Sequence, residues 1–108
     1  MNAFSESGDN LRQYDAMLLG AEMGDPPEVD LHKAPDTHDG VQMAMQFVDR
    51  QFMAGEQVVR LIHGRGTGRM RTDVQRALAE SDLVEHFRDS SKPGEQMAVT
   101  YAVLAAQN

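Results

Sequence analysis

Two short stretches carry the side chains from which chemistry could be built, Asp30-Leu31-His32 and His63-Gly64-Arg65-Gly66-Thr67-Gly68. On an extended chain, residues two apart share a face, so the Asp30 carboxylate can reach the His32 ring and set its tautomer. Imidazole takes up and releases protons near neutral pH, which makes Asp30, His32 and His63 a candidate catalytic set for general acid and base work. In that set His63 is either the partner of His32 or a phosphate ligand, and the sequence does not decide which histidine is the acid. Glycines at 64, 66 and 68 let the backbone approach a phosphate closely, and a helix starting after Gly68 offers free amides and a partial positive charge. With the forked guanidinium groups that follow, the candidate phosphate-binding set is Gly64, Arg65, Gly66, Thr67, Gly68, Arg69 and Arg71. Each motif alone has an ordinary structural meaning: a solvated pair, a hydrogen-bonded histidine, a tight turn. The functional reading rests on their meeting.

Other glycine motifs fit less well. The phosphate loop of nucleotide hydrolases needs Lys and then Ser or Thr after its last glycine, whereas Gly68 precedes Arg69 and Met70. The dinucleotide fingerprint places its third glycine one position later and needs a larger doubly wound sheet. Asp30, His32, Asp36 and His38 could be imagined around a metal, but two-metal centres use more carboxylates. No metal ligand is therefore assigned and no cofactor is required, although a divalent metal is compatible with the chemistry.

These groups must be held by a small fold. Apolar residues Val41, Ala44, Met45, Val48 and Phe52 recur at helical spacing over residues 40–54, with Asp36 and Asp39 as candidate caps and Gly55 as the stop. A second helix is predicted over 69–80, with Met70, Val74, Ala77 and Leu78 inward. Strands are predicted at 28–32, 57–62, 83–88 and 96–104 from their β-branched and apolar residues. The order β-α-β-α-β-β implies an α/β two-layer sandwich with a four-stranded mixed sheet and both helices on one face. Parallel strands joined by crossovers end along one edge of the sheet, where α/β folds bind ligands. That edge would bring Asp30, His32 and His63 together.

The chain divides at its double proline into an acidic arm, residues 1–27, and a domain, residues 28–108. Residues 1–8 are small and polar and read as disordered. Residues 10–23 hold Leu11, Tyr14, Met17, Leu18 and Ala21 at helical spacing, a short helix expected to stand outside the core, so that removing residues 1–26 would leave the domain folded.

Length and charge bound the rest. With 108 residues the chain has room for one domain, burying roughly 65% of its unfolded surface, so an enzyme must work at a surface cleft. Absence of cysteine excludes disulfides, iron–sulfur clusters and thiolate zinc sites. No secretory leader pattern and no membrane-length apolar run is found, so a soluble, cytoplasmic protein without membrane partners is expected. The net charge of −7 conceals an uneven distribution. Residues 1–30 hold seven acids against Arg12, whereas residues 60–76 hold Arg60, Arg65, Arg69, Arg71 and Arg76 against Asp73 alone. A basic patch of this kind suits phosphate.

Asp30-Leu31-His32 and the run from Val58 to Leu78, VVRLIHGRGTGRMRTDVQRAL, resemble the Smr domain, the small MutS-related domain, over about residues 28–104. The resemblance implies a stand-alone member with a fold similar to the C-terminal domain of translation initiation factor three. It also implies nuclease activity, nicking DNA or cleaving RNA, in DNA repair or ribosome rescue. Asp30 and His32 match the family's DLH motif; His63, Gly64 and Gly66 match its HG-x-G motif, with Arg65 where the family has Lys or Arg. Two departures stand out: Lys33 and a longer loop replace the family's glycine after DLH, and the turn before the last strand keeps only Gly94. The expected function is an endonuclease contacting RNA or DNA through the backbone, with a protein partner for the arm. The alternative is a non-catalytic nucleic-acid-binding or adaptor module.

Overall fold

The last strand dictates the architecture. A computed structural model describes residues 3–107. Its elements are α1 (Ala3–Met23), β1 (Glu28–Asp30), α2 (Thr37–Met53), β2 (Val58–Ile62), α3 (Arg69–Glu80), β3 (Val84–Asp89) and β4 (Val99–Leu104). All six residues of β4 are buried. Side chains alternate between the faces of a strand, so a strand buried throughout needs cover on both. β4 lies inside a sheet of order β1-β2-β4-β3. β1 runs parallel to β2, and β4 is antiparallel to both of its neighbours.

One face carries the main core. Ala44, Phe47 and Val48 of α2 and Val74 and Leu78 of α3 pack on Leu31, Val59, Leu61, Ala102 and Leu104. The α/β class, the mixed four-stranded sheet and the two helices on one face are therefore as the sequence implies. α2 begins three residues earlier than its apolar pattern because Asp36, rather than Asp39, caps it, its carboxylate accepting the Asp39 amide at 2.8 Å. Gly55 closes that helix with φ +81°. Where α2 crosses α3, Gly40 leaves room for Met70, whose sulfur lies only 2.3 Å from where a Cβ on residue 40 would stand.

The opposite face corrects the expectation of an arm outside the core. α1 packs there, with Leu18 fully buried against Val58, Val99, Tyr101 and Val103, and with Tyr14, Met17 and Ala21 around it. The physical reason is the outward set of β4 side chains, which would otherwise leave Tyr101 and two valines in water. Helical backbone extends from Ala3, across most of the stretch read as disordered; residues 1 and 2 lie outside the described residues. α1 is also tied by polar contacts. The Tyr14 hydroxyl donates to Glu85 at 3.1 Å and its ring stacks on His86, while Glu22 bonds to Arg88 and Ser91.

Candidate active site

The parallel pairing of β1 and β2 places Asp30 opposite Ile62, so both chains leave the sheet at the same edge. Two residues further on, His32 and Gly64 nearly touch: a Cβ on Gly64 would lie 3.3 Å from that of His32. A cleft of about 390 Å³ opens between them, lined by His32, Thr37, His63 and the glycine loop through Met70. The convergence expected at this edge is present for Asp30, His32 and His63, but the three side chains are treated very differently.

His32 is half exposed, and its Nδ1 lies 2.5 Å from Oδ1 of Asp30, which also accepts the His32 amide at 3.1 Å. An ionised carboxylate can only accept, so Nδ1 carries a proton, and in the neutral form of the ring the lone pair is on Nε2. Among the described residues Nε2 has no protein partner. The bond from His32, with the nearby Lys33 charge in support, holds the Asp30 carboxyl below the usual range despite some desolvation.

His63 is 4% exposed, and both of its ring nitrogens are engaged. Nδ1 donates to the Gly64 carbonyl at 3.0 Å, and Nε2 accepts from the Thr100 hydroxyl at 2.9 Å. Thr100 in turn accepts from Gln75 Nε2 at 3.0 Å, and the same amide donates to Asp89 at 2.9 Å. Burial pushes the His63 imidazole down, assisted by Arg71 and opposed by the Gly64 carbonyl and Asp89. The ring is thereby a neutral strut under the loop.

Gly64, Gly66 and Gly68 have φ of +74°, +42° and +85°, a left-handed series that side-chain-bearing residues adopt only under strain. Gly68 starts α3 without a side-chain cap, which leaves the helix N-terminus to the cleft. Thr67 Oγ1 accepts the Arg69 amide at 3.3 Å. Arg65 donates to the Gly94 carbonyl at 2.9 Å. Arg69 is 78% exposed and pairs loosely with Asp73 at 3.7 Å. Arg71, by contrast, grips Asp89 with two bonds of 2.8 and 2.6 Å and does not line the cleft. Arg60 is also withdrawn from the patch, paired with Glu28 and Glu95 on the α1 side of the sheet.

Sequence reasoning missed several contributors. Thr37 lines the cleft from the first turn of α2, and only the choice of Asp36 as cap would have placed it there. The turn before β4 supplies two carbonyls: Gly94 to Arg65, and Ala98 to the amides of His63 and Gly64, both at 3.0 Å. Thr100, Gln75 and Asp89 gave no local signal because their role depends on strand pairing. Asp36 serves as the α2 cap, and His38 lines a separate cleft beside Arg69 and Arg76.

The Smr domain family matches residues 29–105. Endonuclease MutS2 of Aquifex aeolicus (strain VF5) is 32% identical over 68 residues, 61% of this chain and 9% of that protein. Endonuclease MutS2 of Symbiobacterium thermophilum is 39% identical over 62 residues, 57% of this chain and 8% of that protein. The chain therefore spans less than a tenth of the length of these curated relatives. Among solved structures, the crystal structure of the Smr domain of Thermus thermophilus MutS2 superposes with a TM-score of 0.68 at 32% identity, covering 73% of this chain and 98% of that one. YdaL, a stand-alone small MutS-related protein from Escherichia coli, shares the fold with a TM-score of 0.64 at 24% identity, over 81% of this chain and 73% of that one. α1 lies outside the matched residues, whereas the Asp30–His32 pair, the glycine loop and the whole sheet from Val29 onward lie within them, and on that footing the chain belongs to the Smr domain family.

Proposed function

We propose that this protein is an endonuclease that cleaves a nucleic-acid backbone at the cleft between His32 and the glycine loop. The observation that carries the reading is the Asp30–His32 pair, which leaves Nε2 free in a ring that lines a cleft walled by loop amides and Arg65. On RNA, His32 Nε2 takes the proton of a 2'-hydroxyl as that oxygen attacks the adjacent phosphorus. The new O–P bond forms as the bond to the 5'-oxygen breaks, and the departing oxygen takes a proton from water in the open cleft. A 2',3'-cyclic phosphate and a 5'-hydroxyl result. The Gly66 backbone amide, which has no acceptor among the described residues, stabilises with Arg65 and Arg69 the charge that builds on the phosphoryl oxygens. His63 supports the loop rather than exchanging protons in this scheme.

A second reading is a non-catalytic nucleic-acid-binding or adaptor module. The engagement of both His63 nitrogens favours it, since the cleft then holds one acid–base group instead of a pair. Labelled RNA and DNA incubated with purified protein, with and without chelator, followed by end-group analysis, separate the readings. Cleavage of RNA to cyclic-phosphate ends is expected, reduced roughly 10²-fold in His32→Ala and also impaired in Asp30→Asn, with little change in melting temperature. Blockage by a 2'-deoxy group at the cleaved position supports the sugar nucleophile. Survival of cleavage with the deoxy group and its loss with chelator mean metal-activated water and DNA nicking. Equal cleavage by the parent and His32→Ala would leave the adaptor reading in place.

A further inference from the structure

Glu22 lies on α1, outside the family match, yet it is 7% exposed and fully bonded. Its carboxylate accepts from the Ser91 hydroxyl at 2.6 Å, the Ser91 amide at 3.0 Å and Arg88 Nη1 at 2.7 Å. Ser91 opens the turn 90–98, whose Gly94 carbonyl holds Arg65 and whose Ala98 carbonyl holds the amides of His63 and Gly64. The turn has one other strong tether, Glu95, which accepts from Ser90 at 2.8 Å and from Arg60 at 2.5 Å. Two residues past the second anchor, Met97 sits at φ +68°, a left-handed conformation that a residue with a side chain keeps only where its surroundings impose it.

We infer that Glu22 is a positioning residue of the candidate active site: α1 latches the turn 90–98 through Ser91, and that turn sets the place of Arg65 and the glycine loop. The inference rests on the proposed function for its consequence in binding, but the mechanical coupling stands on the bonds alone. It gives α1 a role beyond covering the sheet, because the latch is at one end of the helix and the Tyr14–Glu85 anchor is further along it. A helix that only covered the sheet would transmit nothing particular to the loop.

The test uses the full chain labelled with nitrogen-15, observing the amide signals of Gly64, Gly66 and Gly94 and the Arg65 side-chain NH. Glu22→Gln and Ser91→Ala should each displace these signals and speed their exchange with solvent, while Glu85→Gln, which weakens the other polar anchor of α1, should not. Affinity for a single-stranded RNA oligonucleotide should fall about tenfold in Glu22→Gln, a usual size for coupling between linked elements, and stay at the parent level in Glu85→Gln. Loop signals unmoved by Glu22→Gln and Ser91→Ala would overturn the inference, and so would equal displacement by Glu85→Gln. Should Glu22→Gln fail to fold, Ser91→Ala, at an exposed residue, decides alone. A parent protein that neither binds nor cleaves nucleic acid would end the proposed function and leave the signal displacements to decide the coupling.

Discussion

The two site histidines share a residue type and oppose each other in state. His32 reaches solvent with its tautomer set by a carboxylate, whereas His63 is sealed in and neutral. The second condition makes stability depend on pH. Because burial lowers the folded-state pKa of His63 from its ordinary 6.5, the unfolded chain takes up the proton first. Stability from this group is therefore complete above 6.5 and is lost as pH falls from there toward the folded-state value. Glu22 and Asp89 act at lower pH. Burial opposes ionisation of Glu22, but Ser91 and Arg88 outweigh it and hold the carboxyl below the usual range; Arg71 does the same for Asp89. Their contributions are present above the ordinary carboxylate pKa and disappear as pH drops through the depressed values. Melting temperature measured against pH should hence be level above neutrality and fall in two stages, and His63→Gln should remove the upper one. An upper stage that persists in His63→Gln would assign it to another group.

At the scale of elements, α1 decides how much of the fold could be read in advance. Helices at α2 and α3 and the strand order along the chain follow from periodicity, because each buries a single face in a single core. The packing of α1 was legible only in part: its apolar positions 14, 17, 18 and 21 were visible, but their destination depends on the outer face of β4, a run whose six buried residues read from sequence merely as part of a strand. The same limit explains the site. Asp30, His32 and the glycine loop are local motifs and announce themselves. The engagement of His63 with Thr100, and of Arg71 with Asp89, requires knowing that β4 lies between β2 and β3, which no local pattern specifies. Replacing Leu18 with alanine measures what α1 contributes. Loss of a fully buried leucine should cost about 2–5 kcal/mol in denaturant unfolding, far more than an exposed arm would allow. A loss under about 0.5 kcal/mol would return α1 to the status of an appendage.

Across the whole molecule, charge is sorted by face. The acidic α1 covers one side of the sheet, while Arg65 and Arg69 border the cleft at the edge. Two arginines of the sequence patch have other duties, so the count of five in residues 60–76 overstates the cations available to a phosphate. Salt titration of oligonucleotide binding can tell them apart. Arg65→Ala should lower the log–log slope by up to about one, the value for one phosphate contact. Arg71→Ala should change the slope less and the melting temperature more, since it breaks a forked, part-buried pair with Asp89. Equal slope changes for the two variants would place Arg71 on the nucleic acid after all. No helix among the described residues is long and apolar enough to cross a membrane.

The central position of β4 has a consequence in time as well as in space. The strand that separates β2 from β3 is the last of the sheet to leave the ribosome, and Ala98, just before it, closes the hydrogen bonds on which the glycine loop rests. A nascent chain that has emerged only as far as β3 already owns the Asp30–His32 pair and every glycine of the loop, yet lacks the Ala98 carbonyl and the Thr100 hydroxyl that hold His63 and Gly64 in place. Assembly of the cleft is thereby a late event of synthesis. A chain cut short before β4 carries the motifs without the site, so the activity proposed for the finished molecule is withheld from its own incomplete copies.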